Sequence, residues 1–131
     1  MHQLKVALAL PFLLSCTPAI AAGLTVVKPL QGYTCMMIEE TPEQSMDFKN
    51  PVSFKMEPSD SAPNVAPAGM QVAVRDQGKR SNGYVETLDF ALRPRWISAK
   101  YLAPYHAKAD PAATCTPAIM SNGKLGFKFS H

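Results

Sequence analysis

Cys16, Cys35 and Cys115 are the residues best equipped for chemistry in this 131-residue chain, as nucleophiles, metal ligands or disulfide partners. Which of these they become depends on the compartment, and the start of the chain bears on that. Lys5 gives a short positive segment, and "VALALPFLL" (6–14) is an apolar run too short to span a bilayer. "SCTPAIAAG" then supplies small residues, with Ala19 and Ala21 in A-x-A register. This is the layout of a secretory signal peptide. It predicts that residues 1–21 are removed and that a mature chain beginning near Ala22 is periplasmic or secreted. A second reading takes "LLSC" as a lipobox with Cys16 lipidated, although Leu14 is bulky for that motif and no polar tether follows. Cys16 leaves the thiol count either way. In an oxidising compartment Cys35 and Cys115 are expected to form a disulfide, which leaves no free thiol as a nucleophile.

The other reactive residues point away from catalysis. His106 and His131 have no partner carboxylate or cysteine that can be read from the sequence, and two distant cysteines without a histidine pair make a poor zinc site. Met36, Met37, Met46, Met56, Met70 and Met120 lack the clustered spacing of a copper carrier, and Met56 and Met70 read as core positions. No Ser/His/Asp arrangement, isolated carboxylate pair or glycine-rich phosphate loop after a strand is present in the sequence. No enzyme activity, metal or cofactor is expected. With Lys5 removed from the 13 basic residues, 12 face 10 acidic ones, and they are scattered rather than striped. That predicts no nucleic-acid partner. Nothing after the leader is long and apolar enough for a transmembrane segment. The uneven feature is aromatic: residues 82–105 hold the chain's only tryptophan and three of its four tyrosines.

The elements that must position those rings read as short strands. Leu24–Val27 and "YTCMMI" (33–38) are apolar and β-prone. Thr41, Pro42 and Gln44 have the form of a helix start, with a hydroxyl cap, proline in the first turn and glutamine three residues on. One short helix at 42–48 follows, ended before Pro51. "VSFKM" (52–56) and "MQVAVR" (70–75) alternate, with Val52, Phe54 and Met56, then Met70, Val72 and Val74, on the apolar faces. "EPSDSAPNVAPAG" between them reads as loop. "YVETLDF" and "RWISAKYL" are two more β-prone runs, and Asn122-Gly123 signals a closing hairpin at 118–129. Twelve prolines suit short strands and tight loops. The fold class expected is mostly β with one short helix.

Taken in order, "VSFKMEPSDSAPNVAPAGMQVAV", "NGYVETL" and "RWISAKYL" make residues 52 to about 103 resemble a bacterial SH3-type domain. In that family a strand runs into a "GPS" loop, a valine-rich strand, "NGW" and a closing "GWV…YL". The resemblance implies a small, five-stranded, strongly bent SH3-like barrel at 52–105. Residues 22–51 form an N-terminal extension with the helix, and 106–131 a C-terminal hairpin extension; the flanking strands would extend or cover a sheet edge. Tyr84 stands in place of the "NGW" tryptophan, Arg95 in place of the "GWV" glycine, and "DFALRP" is longer than the usual link.

The resemblance also bears on the aromatics. It assigns Trp96 to packing and sets Tyr84 and Tyr101 side by side on the barrel surface, with Glu57 and Asp60 of the long loop as a charged rim. Packing alone and packing with binding both remain open for the two tyrosines. The binding reading is a non-catalytic module of the bacterial cell envelope that takes a cell-wall peptide or an envelope protein in a shallow aromatic groove. Proline-rich ligands fit poorly, because Ser98 replaces the proline usual in eukaryotic SH3 grooves. The alternative is a small periplasmic inhibitor or accessory subunit that binds a secreted protein.

Overall fold

The computed structural model describes residues 23–131, so the leader and Cys16 lie outside the described residues. Strands dominate, joined by tight turns, and all pairings are antiparallel. β1 (Val26–Pro29) and β2 (Tyr33–Ile38) come first, then α1 (Pro42–Met46). Thr41 caps α1 as its sequence implies. The Thr41 hydroxyl accepts from the Gln44 N–H at 3.3 Å, and Gln44 Oε1 accepts from the Thr41 N–H at 3.1 Å. The helix is shorter than its expected 42–48, because Asp47 already leaves helical geometry.

After α1 come β3 (Ser53–Lys55), β4 (Asn64–Pro67), β5 (Gln71–Arg75), β6 (Arg80–Ser81), β7 (Tyr84–Leu88) and β8 (Pro94–Ser98). A single 3-10 turn at Ala99–Tyr101 then leads into β9 (Leu102–Pro104), so "RWISAKYL" is two strands rather than one. β10 (Thr114–Met120) and β11 (Leu125–Ser130) close the chain. Two turns show why Asn-Gly was placed where it is. Asn82 and Gly83 both have positive φ, 52° and 78°, and link Ser81 to Tyr84 in a two-residue hairpin. At Asn122-Gly123 only Gly123 is positive, at 76°; Met120 accepts from Gly123 and donates to Lys124, which makes a three-residue turn.

β4-β3-β8-β7-β5-β2-β9 form one eight-stranded sheet, with β6 paired to β7, and β1-β10-β11 form a second of three strands. β2 is therefore not an edge or a cover, as expected of 33–38, but an inner strand between β5 and β9. Its apolar run explains this: both faces of β2 need burial. Val52 and Phe54 beside and within β3, Val72, Val85 and Ile97 make the main core, and Met36, Ile38, Tyr101 and Leu102 pack against it. Residues from both ends of the strand order meet there, so the sheet curls on itself.

The opposite face carries a second core of Ala73, Leu88 and Leu125, with Leu30, Tyr33, Leu92 and Phe127 around it. Val72 and Ala73 are adjacent, so they point to opposite faces of β5, and both are fully buried. The alanine lets the second sheet approach. Cys35 of β2 bonds to Cys115 of β10 across this interface, with Cα atoms 5.7 Å apart. The expected disulfide is present.

Two expectations of local pattern fail. Met56 and Met70 are exposed rather than core. A register shift between Phe54 and Lys55 ends the alternation before Met56, and Met70 precedes β5, its carbonyl accepting from the Ile38 N–H at 2.9 Å. The segment 57–69 is also not all loop. Asn64–Pro67 pairs with β3 as an edge strand, and its terminal proline sits where a missing N–H is tolerated.

Candidate functional site

The long segment after β3 would be a floppy excursion by composition, yet three side chains pin it. Lys55 Nζ donates to the carbonyls of Asp60 and Ala62, at 3.2 and 3.1 Å. Asn82 Nδ2, held by the tight turn, donates to the Pro58 carbonyl at 3.1 Å. The Tyr84 hydroxyl donates to Asp60 Oδ1 at 2.5 Å. Each anchor comes from a strand or a turn locked by strands, so the loop is a fixed wall.

That wall bounds a cavity of about 340 Å³. Tyr84 and Ser98, paired across β7 and β8, form its floor, and Lys100 and Tyr101 of the 3-10 turn form one side. Asn50 to Ser53, leading into β3, and Gln44 of α1 form the other. Three of the expected site residues, Tyr84, Tyr101 and Asp60, thus meet around one cavity. Glu57 does not line it and is exposed. Lys55, Lys100, Gln44, Asn50 and Asn64 are site residues the sequence reading missed. Only Lys55 left a trace, as a polar position on the alternating strand "VSFKM".

Tyr84 corrects the picture of two exposed rings side by side. It is only 4% exposed, because the pinned loop and Asp60 cover it. Burial, then the hydrogen bond and charge of Asp60, push its hydroxyl up to about 12. It therefore stays a proton donor at neutral pH and cannot act as a base or nucleophile there. Tyr101 is half-buried, and Lys100 Nζ sits 4.9 Å from its ring centre, in cation–π range. Trp96 does not line the cavity. It is half-buried on the face of β8 opposite the core residue Ile97, beside Arg75, Glu86 and Arg95.

The two histidines do have carboxylate partners. His106 Nε2 lies 3.2 Å from Glu39 Oε1, and His131 Nδ1 contacts Asp110. Both pairs are brought together by the fold, across separations of 67 and 21 residues. Among the described residues, no three His, Cys, Asp or Glu side chains converge as a metal site.

The geometry separates the two roles of Tyr84. Tyr84→Phe keeps the buried ring and removes the bond to Asp60, so it is expected to cost about 1 kcal/mol. Tyr84→Ala is expected to cost about 3 kcal/mol, because it also opens a core cavity. Urea denaturation distinguishes them; no loss in Tyr84→Phe would mean the hydroxyl does not hold the loop. Because the folded pKa is raised above the ordinary value of 10.0, Tyr84's contribution is complete below that value and declines as pH rises towards about 12. Tyr84→Phe should flatten that alkaline decline.

Among the described residues, no helix is long and apolar enough to cross a membrane. Compared with protein-family models, curated proteins and solved structures, the chain matches none.

Proposed function

We propose that the protein is an exported, non-catalytic binding module of the bacterial cell envelope, built on an SH3-type barrel, that takes a peptide or cell-wall component in the Tyr84–Tyr101 cavity. The observation that carries this reading is the preformed wall. Lys55, Asn82 and Tyr84 hold the 57–62 segment in place with no ligand needed to order it. A wall fixed in advance lowers the ordering cost of binding. Neutral amides and hydroxyls from Gln44, Asn50, Ser53, Asn64 and Ser98 supply donors and acceptors suited to a polar chain. The barrel assignment is supported by the pairing β9-β2-β5-β7-β8, five strands with β8 and β9 joined by a short turn. In that reading the barrel takes in β2 as well as the 52–105 segment. The disulfide fits an oxidising, extracytoplasmic setting.

The test is an NMR titration of the oxidised domain with soluble cell-wall fragments. Saturable shifts centred on Lys100, Tyr101, Asp60 and Ser53 are expected. Shifts absent throughout, or centred elsewhere, would remove the reading.

A second reading, a periplasmic inhibitor or accessory subunit, is favoured by apolar side chains left in solvent that do not line the cavity. Phe48 is 80% exposed and Met70 77%. Such side chains can seat a protein partner. A stoichiometric protein recovered with the native molecule from its own envelope supports this reading; retention on isolated cell wall supports the first.

A further inference from the structure

The charges around the cavity set the chemistry of its ligand, provided the cavity binds as proposed above. Among the described residues the lysine and arginine ion pairs are Arg75 with Glu86, and Arg93 and Arg95 with Asp89. All of these lie outside the cavity. Its own cations, Lys55 and Lys100, have no carboxylate within ion-pair distance. Lys55 is half-buried, and its ammonium is held by two neutral carbonyls, which leaves one N–H without a partner and no carboxylate in direct contact with the charge. A partly desolvated cation without a counter-charge favours an incoming anion. Lys100 is exposed, but its ammonium sits over the Tyr101 ring beside the same cavity.

Among the described residues that line the cavity, Asp60 is the only acidic one. One of its oxygens already accepts a hydrogen bond from the Tyr84 hydroxyl. The other remains free to accept an N–H. The wall is therefore net positive and polarised, with two unpaired ammonium groups and one partly satisfied carboxylate.

We infer that the cavity selects peptides carrying a free carboxylate, which pairs with Lys100 in the field of Lys55 while a peptide N–H meets Asp60. Tyr101 contributes a ring face to the peptide and holds the Lys100 ammonium. Neutral glycans and amidated peptides lack the group the two lysines are placed to meet.

The experiment compares two probes on the oxidised protein by NMR titration. One is soluble cell-wall fragments with their peptide carboxylates free; the other is the same fragments with those carboxyl groups converted to methylamides. The free form is expected to bind about tenfold more tightly, the scale of one charge-assisted hydrogen bond. Lys100→Met should weaken the free form by about that factor and so abolish its advantage over the methylamide form, and Lys100→Arg should retain most of the preference. Equal binding of both probes overturns the carboxylate inference while the binding reading stands. Saturable binding of neither probe overturns both. Loss of the preference in added salt, with residual binding kept, is the further expected result.

Discussion

Replacing Cys35 and Cys115 together by alanine is expected to destabilise the protein by about 4 kcal/mol. The bridge spans a sequence separation of 80 residues, so it removes much of the freedom of the unfolded chain. Total stability for a domain of this size is about 5–15 kcal/mol, so the double variant approaches marginal stability. The fold has a local reason to depend on the bond. β1, β10 and β11 form a separate sheet that meets the larger one through a small core of Ala73, Leu88 and Leu125. Cys35 is buried on the inner strand β2, so the bond ties the second sheet to the interior of the first. Urea denaturation of the oxidised protein and the double-alanine variant measures the loss. A larger dependence on urea is expected for the variant, because its unfolded chain is no longer cross-linked. Coincident midpoints would mean that the non-covalent contacts alone hold the second sheet.

The parts of this fold legible in the sequence are those governed by a few adjacent residues. The capping box at Thr41 and Gln44, the hairpin closed at Asn122-Gly123 and the alternation of Val52 with Phe54 depend on local chemistry, and all three are present. Partner choice is not local. "YTCMMI" announces a buried strand but carries nothing that says it pairs with both β5 and β9. Asn64–Pro67 is too short and too rich in breakers to register as a strand, and becomes one only because β3 lies beside it. Met56 follows its strand's apolar pattern in sequence, and a single register shift removes it from the core.

The candidate site divides in the same way. Tyr84, Tyr101 and Asp60 came from a resemblance of spacing, and they do converge on one cavity. What could not be read was the direction of each side chain. The Tyr84 hydroxyl meets Asp60 across 24 residues, which turns an expected exposed ring into a buried latch. Gln44 and Asn50 reach the cavity only because the segment between β2 and β3 folds back beside it. Polar residues of that kind are indistinguishable in sequence from any solvated surface.

Asp89 is where the departure from the expected family pattern acquires a physical cause, and Asp89→Ala is expected to cost about 3 kcal/mol. The long "DFALRP" link is folded around this carboxylate. Asp89 Oδ1 accepts from the N–H groups of Ala91 and Arg93, both at 2.9 Å, while Oδ2 accepts from Arg93 Nε at 3.1 Å. Arg95 Nε lies 3.1 Å from the same oxygen as an ion pair without hydrogen-bond alignment. The turn so formed holds Leu92 at a φ of 63° and presents Phe90, whose carbonyl accepts from Leu125 of the second sheet at 2.9 Å. Arg95, where a glycine was expected, is thus the counter-charge for a buried acid. Its side chain is only 11% exposed, so removing Asp89 strands a cation. Arg93 is largely solvated, and Arg93→Ala should cost well under 1 kcal/mol. Burial pushes the Asp89 carboxyl up, but the Arg93 N–H and charge, the Ala91 N–H and the Arg95 charge outweigh it and hold the group below its ordinary value of 3.8. A carboxyl lowered on folding stabilises the protein above its unfolded pKa, and that contribution disappears as pH falls through the folded value. The parent should therefore lose stability below about pH 4, and Asp89→Asn, which keeps an acceptor without a charge, should lose less over the same range. Thermal melts from pH 2 to 7 read this directly: parallel acid slopes for the two proteins would place the acid-sensitive group elsewhere.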